Sequence, residues 1–125
     1  ENLKEIRNEL LGLHKTLMNI EKENYEAENG VITPTQLLQL LFDNERFTWL
    51  RTISILVTEI DELFADKKGI DEELTKGLFL KTKQLFDESD EFSDFKSRYQ
   101  ANLDTETLVA QHHEKLVNLL KIKKA

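Results

Sequence analysis

The sequence predicts an all-α fold, an up-and-down helical bundle of four main helices with one or two short ones added, and three observations carry that expectation. Leu3, Ile6, Leu10, Leu13, Leu17 and Ile20 are spaced 3, 4, 3, 4 and 3 residues apart, the seam of an amphipathic helix. Trp49, Ile53, Leu56, Ile60 and Leu63 repeat the pattern at 4, 3, 4 and 3. No segment alternates apolar and polar residues for long enough to read as a strand, and four Gly and one Pro in 125 residues leave few interruptions.

The first helix continues through "EKENYEAEN" to Gly30, which is expected to close it in a left-handed conformation. A second start follows in "TPTQ", with Thr33 as N-cap, Pro34 at the first helical position and Gln36 as the reciprocal partner of a capping box. The apolar piece "LLQLLF" leads to Asp43, which either caps a helix from about Asn44 to Ala65 or lies inside a continuous one. In "DKKGID", Lys67 and Lys68 are expected in the last turn, Gly69 as C-cap and Asp71 as the next N-cap. A helix from about Glu72 to Phe86 carries Leu74, Leu78, Phe79, Leu85 and Phe86. The acidic run "DESDEFSD" reads as a solvated connection, because it lacks the glycine and spaced oxygen ligands of a calcium loop. Phe92, Phe95 and Tyr99 then define a short aromatic helix. Asp104 is expected to cap a last helix in which Val109, His112, Leu116 and Leu119 share a face. Lys115, Lys121, Lys123 and Lys124 are expected at its end, where cations complement exposed carbonyls.

Composition restricts function. The length suits a single domain with one core. A net charge of −7 opposes duplex binding, which needs a concentrated basic surface, so no nucleic-acid partner is expected. The absence of Cys removes disulfides and thiolate chemistry and fits a reducing compartment. Apolar runs fall far short of the roughly 20 residues of a membrane helix, and "ENLKEIRNEL" lacks a signal-peptide plan. The expectation is a cytoplasmic protein without a membrane partner.

The candidate chemistry lies on ridges beside the seams. Phe47, Leu50, Ser54, Val57, Asp61 and Phe64 form a ridge that is apolar except at Ser54 and Asp61, which point the same way roughly 10 Å apart. Leu11, His14, Met18, Glu21 and Tyr25 form a mixed ridge on the first helix. His112 holds a core-facing position, and His113 sits one step around toward solvent. Margins of this kind meet in an antiparallel bundle, so His14, Glu21, Tyr25, Ser54, Asp61 and His112 are expected to form one interior polar cluster. An unpaired buried carboxylate costs several kcal/mol, so Asp61 calls for a partner: His14, His112, or Arg51 folded across from a neighbouring turn. A His–Asp pair raises the histidine pKa and offers proton transfer, although a purely structural pair does the same.

The specific signatures are missing. No Glu or Asp stands three residues before a histidine, which excludes the Glu-x-x-His pairs of di-iron bundles. One mononuclear arrangement is chemically permitted, His14 and His112 with Asp61 or Glu21. There is no Walker loop, GxSxG elbow or HExxH; in "AQHHEKL" the adjacent His112 and His113 diverge around the helix and cannot chelate together.

The segments "LHKTLMNIEKENYE", "LLQLLF" and "FTWLRTISILVTEIDEL" together resemble a family of short bacterial helical proteins of uncharacterised function, over about the first half of the chain. The resemblance implies bacterial origin, a cytosolic setting and a helical bundle, and brings no activity to any residue. The leading expectation is therefore a non-catalytic module acting as a homodimer or on a protein partner, with no cofactor. Its motive is surplus apolar surface on the first helix, on Phe47–Phe64 and on the set Phe92, Phe95 and Tyr99. The alternative is a small-molecule or mononuclear-metal bundle, a hydrolase among its forms, built on His14, Asp61 and His112.

Overall fold

The computed structural model describes residues 2–66, 68–69 and 71–123, and all seven regular elements among them are helices. Helix α1 spans Leu3–Asn29. It is capped by Asn2, whose side chain accepts from the Glu5 N–H and donates to the Glu5 carboxylate. It closes at Gly30, where φ is 85° and the N–H reaches the Glu26 carbonyl; ψ is extended, so the glycine supplies a positive φ without the full left-handed turn. The seam residues Leu3, Ile6, Leu10, Leu13 and Leu17 are all buried, each contributing about 1.5–3 kcal/mol.

Helix α2, Pro34–Asp43, begins with the expected capping box of Thr33 and Gln36. The question left open at Asp43 has a definite answer: the chain breaks, and the cap is Asn44, whose side chain accepts from the Arg46 N–H. Asp43 instead accepts from Gln39 within α2. A single turn, α3, Glu45–Thr48, precedes a step at Trp49 and Leu50, and α4 then runs Arg51–Ala65. Its ridge Ile53, Leu56, Ile60 and Leu63 is buried.

Gly69 does not cap α4. The helix ends at Ala65, and Gly69, at φ 94°, serves the following turn by donating to the Asp66 carbonyl. Lys67, expected in the last turn, lies outside the described residues, and no basic residue occupies the last described turn. Asp71 caps α5, Glu72–Phe86, accepting from the N–H groups of Glu73 and Leu74. Lys96 ties down the acidic connection, donating to the Ser89 carbonyl at 2.5 Å and standing 3.5 Å from Asp87. Helix α6, Ser93–Thr105, follows a left-handed Phe92, and α7 spans Thr107–Leu119.

Asp104 does not cap α7: it stays inside α6, accepting from Gln100, and the cap position belongs to Glu106. No basic residue lies in the last turn of α7, and backbone N–H groups meet its last carbonyls, with Lys121 in the left-handed region (φ 57°), its N–H on Asn118 and the Ile122 N–H on Val117, a closure that folds Ile122 onto the core. Lys124 lies outside the described residues.

α1 packs against α4 and α7, while α5 packs against α4, α6 and α7. Arg7 meets Asp61 near one end of α1 and Glu21 meets Trp49 near the other, so α1 and α4 run antiparallel. Rings of Trp49, Phe95, Tyr99 and Phe86 stand in sequence at centroid spacings of 5.4 Å, carrying the core from the step before α4 through α6 to α5. No helix among the described residues is long and apolar enough to cross a membrane.

Candidate functional site

The expected cluster divides into separate places. Asp61 receives a two-pronged bond from Arg7 of α1, Nε to Oδ1 at 2.8 Å and an Nη nitrogen to Oδ2 at 3.2 Å. The two side chains are 31% and 48% exposed, so this is a margin pair rather than an interior one. Neither His14, His112 nor Arg51 is its partner. The reason is register. In the antiparallel α1–α4 contact, a step of seven residues forward on α4, from Ser54 to Asp61, is matched by a step of seven back on α1, from His14 to Arg7.

His112 leans instead on α1. Its Nδ1 lies 2.7 Å from the Glu9 carboxylate and its Nε2 lies 3.1 Å from the Thr16 hydroxyl. Gly12 sits beneath the ring, and a Cβ there would stand 3.0 Å from His112 Cε1. Glu9, Gly12 and Thr16 are three and four residues apart and so share one face of α1. Glu21 serves a further role, accepting from the Trp49 indole N–H, which is also shared with the Arg46 carbonyl, both at 2.9 Å. Tyr25 packs edge-on against Phe47 at 6.0 Å.

Three of the expected residues do come together. His14, Arg51 and Ser54 line a groove of about 280 Å³ whose walls are Leu38, Leu41 and Phe42 of α2 with Phe47 and Leu50. The Arg51 guanidinium donates to the Phe42 carbonyl at 2.9 Å, and the Ser54 hydroxyl donates back to the Arg51 carbonyl. Burial pushes the His14 pKa down, which favours the neutral ring in this apolar setting. The set His14, Asp61 and His112 is thus distributed over a groove, a surface ion pair and a helix contact. Among the described residues no group of three or more His, Asp or Glu is placed to hold a metal ion.

A second concavity, about 430 Å³, lies between α5, α6 and α7. His113 does not point freely to solvent. Its Nδ1 is 2.8 Å from the Tyr99 hydroxyl, and its ring stands edge-on to Phe86. Burial lowers the His113 pKa, opposed by the neighbouring Glu114 carboxylate, and burial raises that of Tyr99.

Sequence reasoning missed Arg7, Glu9, Gly12 and Thr16. Arg7 continues the mixed ridge by one step, four residues before Leu11, and a lone glycine inside a helical pattern is itself a packing signal. Compared with protein-family models, curated proteins and solved structures, the chain matches none.

Proposed function

We propose that this chain is a non-catalytic helical module that acts by self-association, docking α2 of one copy against α2 and the adjoining groove of a second. In this reading the helices form an up-and-down bundle with α1, α4, α5 and α7 as its four main members, working in the cytoplasm without a cofactor. The observation that carries it is the exposure of α2. No residue of α2 is buried, Leu38 and Phe42 are 58% and 69% exposed, and Val31 just before it is 91% exposed. A helix of ten residues draws little stability from its own backbone and ordinarily depends on packing an apolar face. Here the chain commits a capping box and a Pro start to a helix whose Leu37, Leu40 and Leu41 are only half-buried and whose Leu38 and Phe42 meet water.

Charge favours a second copy as the occupant. From Val31 to Phe42 there is no charged residue, in a chain of net charge −7 whose other surfaces would repel a like copy. Leu38 and Phe42 both project from the patch and line its groove, so protruding and receiving features share one surface, as a closed twofold contact requires. Of the surplus expected elsewhere, Leu3 to Leu17 of the α1 seam, Phe95 and Tyr99 are buried, while Leu11, Ile55 and Phe64 are exposed but less so than Leu38 and Phe42. The rival reading, a metal or small-molecule site on His14, Asp61 and His112, draws no support from their separate surroundings.

Light scattering on the full chain at roughly tens of micromolar, the range of a modest interface, is expected to give a dimer. Leu38→Glu with Phe42→Glu is expected to give a monomer that melts like the dilute parent, because neither side chain is buried. A parent that is monomeric throughout, or a variant that dimerises as the parent does, overturns the proposal.

A further inference from the structure

The cleft between α5, α6 and α7 is independent of α2, and its chemistry turns on one tautomer. The Tyr99 side chain is buried, and its hydroxyl has a single hydrogen-bond partner among the described residues, His113 Nδ1. Were Nδ1 protonated, it would donate to the phenol oxygen and leave the buried phenol O–H with no acceptor, an unfavourable state. The arrangement that satisfies both groups has Tyr99 donating to Nδ1, which places the imidazole proton on Nε2. No described residue accepts from Nε2, and His113 lines the cleft. The inner surface beside it is apolar, with Phe86, Leu103 and Val117, and the volume of about 430 Å³ falls within the range of small-molecule pockets.

We infer that this cleft binds a neutral small molecule with an aromatic or alicyclic body and a carbonyl-type acceptor, which lies against Phe86 and Val117 and accepts a hydrogen bond from His113 Nε2–H. A charged ligand is disfavoured. The charged residues of the lining, Asp87, Glu88, Lys96, Glu114 and Lys123, carry both signs and so offer no single counter-charge to a buried ion, and burial drives Tyr99 and His113 toward their neutral forms. Of the two lining lysines, Lys96 is engaged with Ser89 and Asp87.

The test uses full-length protein labelled with ¹⁵N at histidine, with N-methylbenzamide as the probe. Imidazole ¹⁵N shifts are expected to show His113 as the Nε2–H tautomer, and the probe is expected to shift the Nε2 resonance saturably. Benzoate and benzylamine are expected to bind more weakly. Gln100→Trp, at an exposed position on the cleft wall, is expected to abolish the response without disturbing the core. His113→Phe combined with Tyr99→Phe keeps the aromatic contacts, leaves no orphaned hydroxyl, and is expected to weaken the probe about three- to tenfold, the loss of one net hydrogen bond. An Nδ1–H tautomer overturns the inference. So does a response that never saturates, that survives Gln100→Trp, or that benzoate reproduces at equal affinity.

Discussion

The two long contacts of α1 treat charge in opposite ways. Toward α4, the Arg7–Asp61 pair stays at the margin, nearly a third and a half exposed, where water shares in solvating both groups. Toward α7, His112 and Glu9 are 22% and 18% exposed, and each imidazole nitrogen has a partner, Glu9 on one side and Thr16 on the other. The enclosed contact also requires a hole in the helix surface. Gly12, mid-helix, costs about 1 kcal/mol of helix propensity against alanine, and the ring occupies the space that a Cβ would need. A polar group at a wet margin can be placed loosely, whereas one between packed helices demands satisfied partners and a shaped seat.

The largest break in this contrast is expected from filling the seat. Gly12→Leu drives the ring from both partners and overpacks the α1–α7 contact, and the loss is expected to reach about 3 kcal/mol or more in thermal or urea unfolding. Gly12→Ala sharpens the point. Alone it is expected to yield no gain, because the ring that must give way is held at both nitrogens; in a His112→Ala background it is expected to stabilise by about 1 kcal/mol, the ordinary helix propensity difference. A gain of that size in the otherwise unaltered protein would show that the seat is not needed.

Next in size is Thr16→Val, nearly isosteric, which leaves His112 Nε2 unpaired against an apolar neighbour. A loss of about 1–2 kcal/mol is expected, and an unchanged urea midpoint would show that water replaces the hydroxyl.

How much of this was readable beforehand follows from what is local and what is not. The seam from Leu3 to Leu17, the capping box at Thr33 and Gln36 and the Asp71 cap depend on residues three or four apart, so periodicity and side-chain type reveal them. The break at Asn44 and the step at Trp49–Leu50 arise where short α3 fits between α2 and α4, which no local pattern states. The polar residues were identified by ridge, but their partners depend on register between helices. Asp61 meets Arg7 because the α1–α4 alignment lies one heptad from the one that would have joined it to His14. His112 turns to Glu9 and Thr16 because Gly12 admits it, a reason visible only once α7 is laid on α1.

Two other histidines extend the argument to pH. His113 faces Phe86 and Tyr99, where burial depresses its pKa below the ordinary 6.5. His14 is depressed for the same reason. A histidine with a lowered folded pKa binds fewer protons folded than unfolded, so stability falls as pH drops below about 6.5 and levels off beneath the folded pKa. His113→Gln and His14→Gln are each expected to flatten the decline measured by urea unfolding from pH 7.5 to 5. A slope unaltered in both would place the proton uptake elsewhere.

The smallest effect is expected at the residue that looked most compelling in the sequence. Asp61→Asn keeps the shape and one acceptor for Arg7, and both side chains remain in contact with solvent. Its change in unfolding midpoint is expected to be the least of the set and to vanish in molar salt, where screening removes what an exposed pair contributes. It is also expected to leave the dimer untouched, because Asp61 lies outside the groove beside α2. A large, salt-insensitive loss would mean that the pair is enclosed as His112 is, and the two sides of α1 would then be alike in how they hold charge.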